Sequence, residues 1–163
     1  MDDVTLRPAT AEDLPLLEAA LTSAVNWDPK RPALSLPEIL ARPELAHYLV
    51  GWPRSTDVGV VAELAGEPVG AAWIRFFDPK DPGYGFLAAD VPELTIGVLP
   101  SFRGRGFGGQ LLRGILSQAR EGGVRRVSLS VEPGNFAARL YRQIGFREVG
   151  LGRGAITMAI DLA

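Results

Sequence analysis

The sequence predicts a single mixed α/β domain, and three observations predict it. Segments with a period of two in their apolar residues alternate along the chain with segments whose apolar residues recur every three to four positions. Residues 57–64 and 68–77 read as strands on either side of the short connection Ala65-Gly66-Glu67, so they should pair as a hairpin. A further strand, Glu93 to Leu99, leads through a glycine-rich loop into an amphipathic helix and then into the strand Arg126 to Val131, the order of a βαβ unit. The 163 residues suit one domain, taken as 1–163, which can bury about two-thirds of its unfolded surface.

Each element has its own signal. Residues 3–8 alternate like a short strand. Thr10 and Asp13 then form a capping pair for a helix reaching about Val25, with Leu14, Leu17, Leu21 and Val25 as its apolar stripe. Pro29, Pro32, Pro37, Pro43 and Pro53 restrict Asn26 to Arg54 to short helical pieces, one of them capped by Ser35 and Glu38, and this stretch is expected to lie over a cleft. After the hairpin, Pro79, Pro82, Gly83 and Gly85 break any periodicity in residues 77–90, which read as a loop. Leu111, Leu112, Ile115, Leu116 and Ala119 share one face of the next helix, which Gly122-Gly123 ends. Pro133-Gly134 turns the chain, and Asn135 is placed to cap a helix in which Phe136, Leu140 and Ile144 form the apolar side. Gly145 closes that helix, and Phe146–Val149 and Ala155–Ile160 are the last strands. No internal repeat, low-complexity tract or interdomain linker is visible.

Composition removes several function classes. Hydrophobic residues make up 47% of the chain and charged ones 22%, as in a globular protein. The chain has no cysteine, which excludes disulfides, thiolate metal sites and a covalent cysteine intermediate. His47, the one histidine, reads as a partly exposed packing residue, and its solitude argues against a metal site. The start, MDDVTLRPAT, is acidic, and no stretch approaches about 18 apolar residues, so neither export nor membrane insertion is indicated and a cytoplasmic setting is expected.

Charge is unevenly distributed. Residues 1–102 hold 7 Lys/Arg against 15 Asp/Glu, whereas residues 103–163 hold 10 Arg against 4 Asp/Glu. The second part is therefore expected to meet an anion, and the acidic first part a cationic acceptor, unless these charges are merely scattered over solvated surface. Nucleic acid is disfavoured, because the whole chain is acidic and its basic residues have no aromatic interleaving.

The anion has a candidate site. Gly104, Gly106, Gly108 and Gly109 stand within six residues at the start of a helix, where unpaired N–H groups and the helix dipole favour phosphate. The plainer alternative is a glycine-rich bend. No Gly-Lys-Ser/Thr ending follows, so a P-loop is out. Gly104, Gly106 and Gly109 also spell G-x-G-x-x-G with Glu132 after the next strand, but only 54 residues follow Gly109, too few for the rest of a dinucleotide-binding domain.

The run ELTIGVLPSFRGRGFGGQLL resembles the acetyl-CoA signature of the GCN5-related N-acetyltransferase (GNAT) family, whose Arg/Gln-x-x-Gly-x-Gly/Ala pattern is met by Arg103, Gly106 and Gly108. A second motif of that family, Asn-x-x-Ala-x-x-Leu-Tyr followed by Gly-Phe, is similar to Asn135, Ala138, Leu140, Tyr141, Gly145 and Phe146. The resemblance is close over about 92–150. It implies a central, mostly antiparallel sheet flanked by helices and splayed beside Glu93–Leu99, with an acyl-CoA-binding core over 92–150 and acceptor-side elements over 1–91. It implies acetyl-CoA as cofactor, its pyrophosphate on Arg103, Gly104, Arg105, Gly106, Phe107, Gly108 and Gly109, and its pantetheine arm along Ile96 and Val98 and against Asn135.

The resemblance also implies catalytic roles. Glu93 stands where many members carry a general base, or it is simply a carboxylate satisfied at a strand end. Tyr141 resembles the tyrosine that protonates the thiolate, with an amphipathic core residue as the alternative, and the Val98 N–H corresponds to an oxyanion donor. The implied activity is transfer of an acetyl group to a primary amine by direct attack in a ternary complex; the competing assignment is a non-catalytic acyl-CoA-binding domain. Among the aromatic residues, Trp27, Trp52 and Tyr84 are the best candidates to line the acceptor pocket, while Trp73, Phe76 and Phe77 read as core. The acceptor (polyamine, aminoglycoside, amino acid or protein N-terminus) and the oligomeric state, a homodimer included, are not fixed by the sequence.

Overall fold

The computed structural model describes residues 4–162; Asp3, expected in the first strand, lies outside them. Strands β1 (Val4–Pro8), β2 (Val58–Leu64), β3 (Glu67–Arg75), β4 (Glu93–Val98), β5 (Arg126–Val131), β6 (Arg147–Gly152) and β7 (Ala155–Asp161) form one sheet in the order β1-β2-β3-β4-β5-β7-β6. Every neighbouring pair is antiparallel except β4 and β5. The mixed α/β, mostly antiparallel architecture expected from the sequence is therefore the one observed.

The β2–β3 hairpin turns on two residues, Ala65 at φ 52 and Gly66 at φ 81, while Glu67 already belongs to β3. Positive φ at both central positions matches the right-handed twist of the strands it joins.

Helices cover both faces of the sheet. On one face α1 (Leu14–Val25) and the short α2 (Leu36–Leu40) and α3 (Pro43–Ala46) pack with Ala71 and Trp73 of β3. The two capping signals hold: Asp13 Oδ2 accepts from Thr10 N–H at 2.7 Å, and Ser35 with Glu38 makes the same box at α2. On the other face α4 (Phe107–Glu121) and α5 (Ala137–Ile144) pack on Ala72, Ile74 and Leu94. Leu111, Leu112 and Ile115 of α4 are fully buried. Each contributes roughly 1.5–3 kcal/mol relative to exposure. Gly123, at φ 86, reverses the chain after α4.

Helix α5 differs from its expected pattern. Its buried side chains are Ala138 and Tyr141, whereas Phe136 is 81% exposed and precedes the helix instead of joining Leu140 and Ile144 against the core. Asn135 sits one residue further out than a true cap, its Oδ1 accepting from Ala137 N–H at 3.0 Å.

The feature that positions the site is the β4–β5 pairing. The two parallel strands meet at Glu93 and Ser128, where Ser128 N–H donates to Pro92 O at 3.0 Å, and no further register pair joins them among the described residues. Beyond that point they splay. On its other edge β4 pairs with β3 from Glu93 to Val98, and Leu99 N–H donates to Val69 O at 2.9 Å. By the alternation of an antiparallel ladder, the N–H groups of Ile96 and Val98 face the gap.

Candidate active site

A cleft of about 920 Å³ opens along the splay, lined by Glu93 to Val98 on one side and by Leu129 to Glu132, Asn135, Phe136 and Tyr141 on the other. Segment 23–34, Tyr48, Tyr84 and Arg153 complete its walls. It thus brings together Glu93, Ile96, Val98, Arg103, Asn135 and Tyr141 from the residues the sequence singled out. Gly104 to Gly109 continue from Arg103 outside this lining.

Glu93 lies at the apex of the splay and is 2% exposed. Its Oε2 accepts from the Tyr48 hydroxyl at 2.5 Å and its Oε1 from Gly85 N–H at 3.1 Å. Burial pushes its carboxyl up to about 7 against the lowering effect of those two hydrogen bonds and of the Arg153 charge. Such a group exchanges a proton near neutral pH.

Tyr141 is 8% exposed, packs on Phe146 at 5.9 Å between ring centroids, and has its hydroxyl pushed up to about 12 by burial. It therefore holds its proton at neutral pH.

The loop residues divide by what their side chains do. Gly104 and Gly106 adopt φ 75 and φ 85, conformations that favour glycine, and Gly106 caps α4 without a side-chain hydrogen bond. The first N–H groups of α4 have no intrahelical partner. Gly108 is different: a Cβ there would touch Leu140 and Val98 at 3.5 and 3.8 Å. Phe107 turns inward and is 1% exposed, so only its backbone is offered to a ligand. Arg105 lies over the Phe102 and Phe107 rings at 5.8 and 5.2 Å. Arg103 points back into the protein, donating to Ser23 O at 3.0 Å and to the Ser23 hydroxyl, while Ser23 Oγ donates to Val98 O at 2.8 Å. Arg103 thereby ties the end of α1 to the strand that forms the gap.

Among the aromatic candidates, Trp27 and Tyr84 line the cleft as expected. Trp52 does not: it is buried in the core beneath α1, with Nε1 donating to Thr10 O at 3.0 Å. His47 is 8% exposed, more buried than expected, with Nδ1 2.9 Å from Asp81 Oδ1 and its ring against Tyr48 and Phe77. It packs behind the cleft and does not line it.

Tyr48, Arg153 and Arg31 line the cleft without any local signal in the sequence. Tyr48 holds Glu93. Arg153, in the β6–β7 turn at φ 51, lies 4.5 Å over the Tyr84 ring and donates to Pro82 O at 3.3 Å. Arg31 and Glu132 pair at 2.8 Å across the cleft mouth, with Trp27 Nε1 3.3 Å from the same carboxylate. Glu132, the acidic residue of the dinucleotide alternative, is occupied by an arginine and an indole.

Residues 22–146 match the profile of the Acetyltransferase (GNAT) family. The chain belongs to that family. Among its relatives is the N-alpha-acetyltransferase RimI of Mycobacterium tuberculosis, 55% identical over 60 residues, or 36% of each protein. A crystal structure of the ribosomal-protein-alanine N-acetyltransferase from Brucella melitensis superposes with a TM-score of 0.69 at 29% identity, covering 97% of this chain and 99% of that one. The protein yncA of Salmonella typhimurium, solved with its cofactor acetyl-CoA, gives a TM-score of 0.65 at 25% identity over 98% and 94% of the two chains. The chain spans about a third to a half of the length of the curated relatives it matches.

Proposed function

We propose that this GNAT chain transfers an acetyl group from acetyl-CoA to a primary amine by direct attack in a ternary complex, with a protein N-terminal amine as the leading acceptor class. The observation that carries this reading is the cleft itself: a carboxylate that titrates near 7 stands at its apex, and a tyrosine held at about 12 lies on the opposite wall. The names of the relatives from M. tuberculosis and B. melitensis support the acceptor class.

The residues present fit acetyl-CoA. Open space lies beside Gly104 and Gly106 at the start of α4, where backbone N–H groups suit a pyrophosphate. The gap-facing edge of β4 suits an extended arm with amides, as an added strand would. Asn135, its Oδ1 already used by Ala137 N–H, lines the cleft where that arm would pass. When bound, the cofactor supplies an activated acyl thioester.

The chain's own residues supply the rest. A protein N-terminal amine, with a pKa near about 8, is mostly protonated at neutral pH, and Glu93, raised to about 7, is the group we assign to take that proton. The Val98 N–H, on the gap-facing edge of β4, is the group we assign to the acyl oxygen by resemblance to the family. Tyr141 keeps a proton for the departing sulfur. No covalent enzyme intermediate is needed, consistent with the lack of cysteine.

The test is release of CoA across an amine panel containing N-terminal peptides, a polyamine, an aminoglycoside and free amino acids. Release with N-terminal peptides above the rest is expected, and Tyr141→Phe, which keeps the ring, should lower kcat by about 10²–10⁴-fold with acetyl-CoA affinity little changed. Binding of acetyl-CoA without release on any acceptor would leave only a non-catalytic binding domain.

A further inference from the structure

Glu93 is held by groups that lie outside both sequence motifs. A carboxylate offers about four lone-pair sites. Tyr48 and Gly85 fill one on each oxygen, at 2.5 and 3.1 Å, which leaves the others for a substrate proton. The Tyr48 hydroxyl is itself oriented: its oxygen accepts from Tyr84 N–H at 2.8 Å, so its own hydrogen is directed to Glu93. Burial keeps that hydroxyl protonated, its titration being raised well above the usual tyrosine range.

Strand β3 fixes Tyr48 from below. Arg75 Nη1 donates to His47 O at 3.0 Å and Val50 O at 2.7 Å, the carbonyls on either side of Tyr48, and Trp73 Nε1 donates to Tyr48 O at 3.0 Å. Arg75 is locked in turn by a buried two-point pair with Asp57, at 3.1 and 2.7 Å. The Tyr48 ring packs on His47 and Phe77 at 4.7 and 5.2 Å.

We propose that Tyr48 is a positioning residue for the transfer reaction: its hydroxyl fixes the orientation of the Glu93 carboxylate and favours its ionised form. The proposal rests on Glu93 being the general base. The other charged and titratable groups around Glu93 among the described residues are Arg153 and Tyr84 above it, Arg75 opposite it on β3 with its partner Asp57 just before β2, and the His47–Asp81 pair behind Tyr48. Among the described residues, Tyr48 is the one whose side chain donates a hydrogen bond to the carboxylate. Gly83 leaves room for the arrangement, since a Cβ there would lie 2.1 Å from Glu93 Oε1 and 3.0 Å from the Tyr48 oxygen.

The experiment follows the Glu93 carboxyl directly, by carbon NMR of glutamate-labelled protein, alongside the pH profile of kcat/KM at saturating acetyl-CoA. Tyr48→Phe keeps the ring and its packing. It should move the Glu93 midpoint up by about one to two pH units, carry the rising limb of kcat/KM with it, and lower kcat/KM at neutral pH about tenfold or more. Gly83→Ala, whose Cβ would crowd both Glu93 Oε1 and the Tyr48 oxygen, disturbs the same arrangement, should shift the midpoint in the same direction and serves if Tyr48→Phe fails to fold. A Glu93 midpoint unchanged by the substitution overturns the role of Tyr48. Glu93→Gln separates this from the underlying reading: full turnover with the limb intact in that variant would remove Glu93 as base, while the NMR midpoints would still report on Tyr48.

Discussion

Glu93 carries opposite demands for stability and for activity. Its carboxyl is raised to about 7 in the folded protein, from an ordinary value of 4.5, by burial. A raised group stabilises the fold fully below its unfolded value, and that contribution is lost as pH climbs through the folded one. The protein should therefore lose about 3 kcal/mol from this group between pH 4.5 and pH 7 and above, while the ionised form needed for catalysis accumulates. Glu93→Gln removes the titration. Chemical denaturation at a series of pH values should show this slope in the wild type and a flattened one in the variant. Equal slopes in both would mean that Glu93 is not raised in the folded protein.

At the scale of elements, a proline-rich stretch with little regular structure is held in place by one strand. The Arg75–Asp57 pair is buried on both sides, at 1% and 0% side-chain exposure, and Arg75 spends its remaining donors on segment 47–50. Breaking one partner of such a pair leaves an uncompensated charge. Asp57→Asn should thus cost about 3–5 kcal/mol by urea denaturation and loosen Tyr48 as well. A loss below about 1 kcal/mol would show that segment 47–50 is anchored elsewhere. Most elements were legible in the sequence because their signals are local: a short glycine-containing connection, capping pairs, a helical stripe, and glycines before α4. The misreadings share the opposite cause. Trp52 looked like a pocket residue because prolines surround it, and Phe136 fitted a helical repeat, but which residues are covered was decided by α1 packing and by where α5 begins. Tyr48 meets Glu93 across 45 residues and Arg153 meets Pro82 across 71, separations at which no local pattern reports.

Over the whole molecule, charge that is segregated in sequence becomes mixed in space. The first 102 residues carry most of the acids, and part of that charge is met locally, Asp13 by Arg7, Asp28 by Arg31 and Asp57 by Arg75. Glu132, from the basic part of the chain, answers Arg31 across the cleft mouth. The cleft lining as a whole contains four carboxylates, Asp28, Glu44, Glu93 and Glu132, and four guanidiniums, Arg31, Arg42, Arg103 and Arg153. Opposed fields sorting a cationic acceptor from an anionic cofactor, as the sequence suggested, need acids and guanidiniums on opposite sides of the cleft, whereas Arg31 pairs with both Asp28 and Glu132 at its mouth. Steering by exposed charge is screened over about 8–10 Å at physiological salt, so it would appear as a steep salt dependence. A polyamine and an amine with an uncharged tail should accordingly show similar slopes of log kcat/KM against ionic strength at saturating acetyl-CoA. A steep fall confined to the polyamine would restore the opposed fields and place the acidic surface, not the cleft lining, in control of acceptor capture.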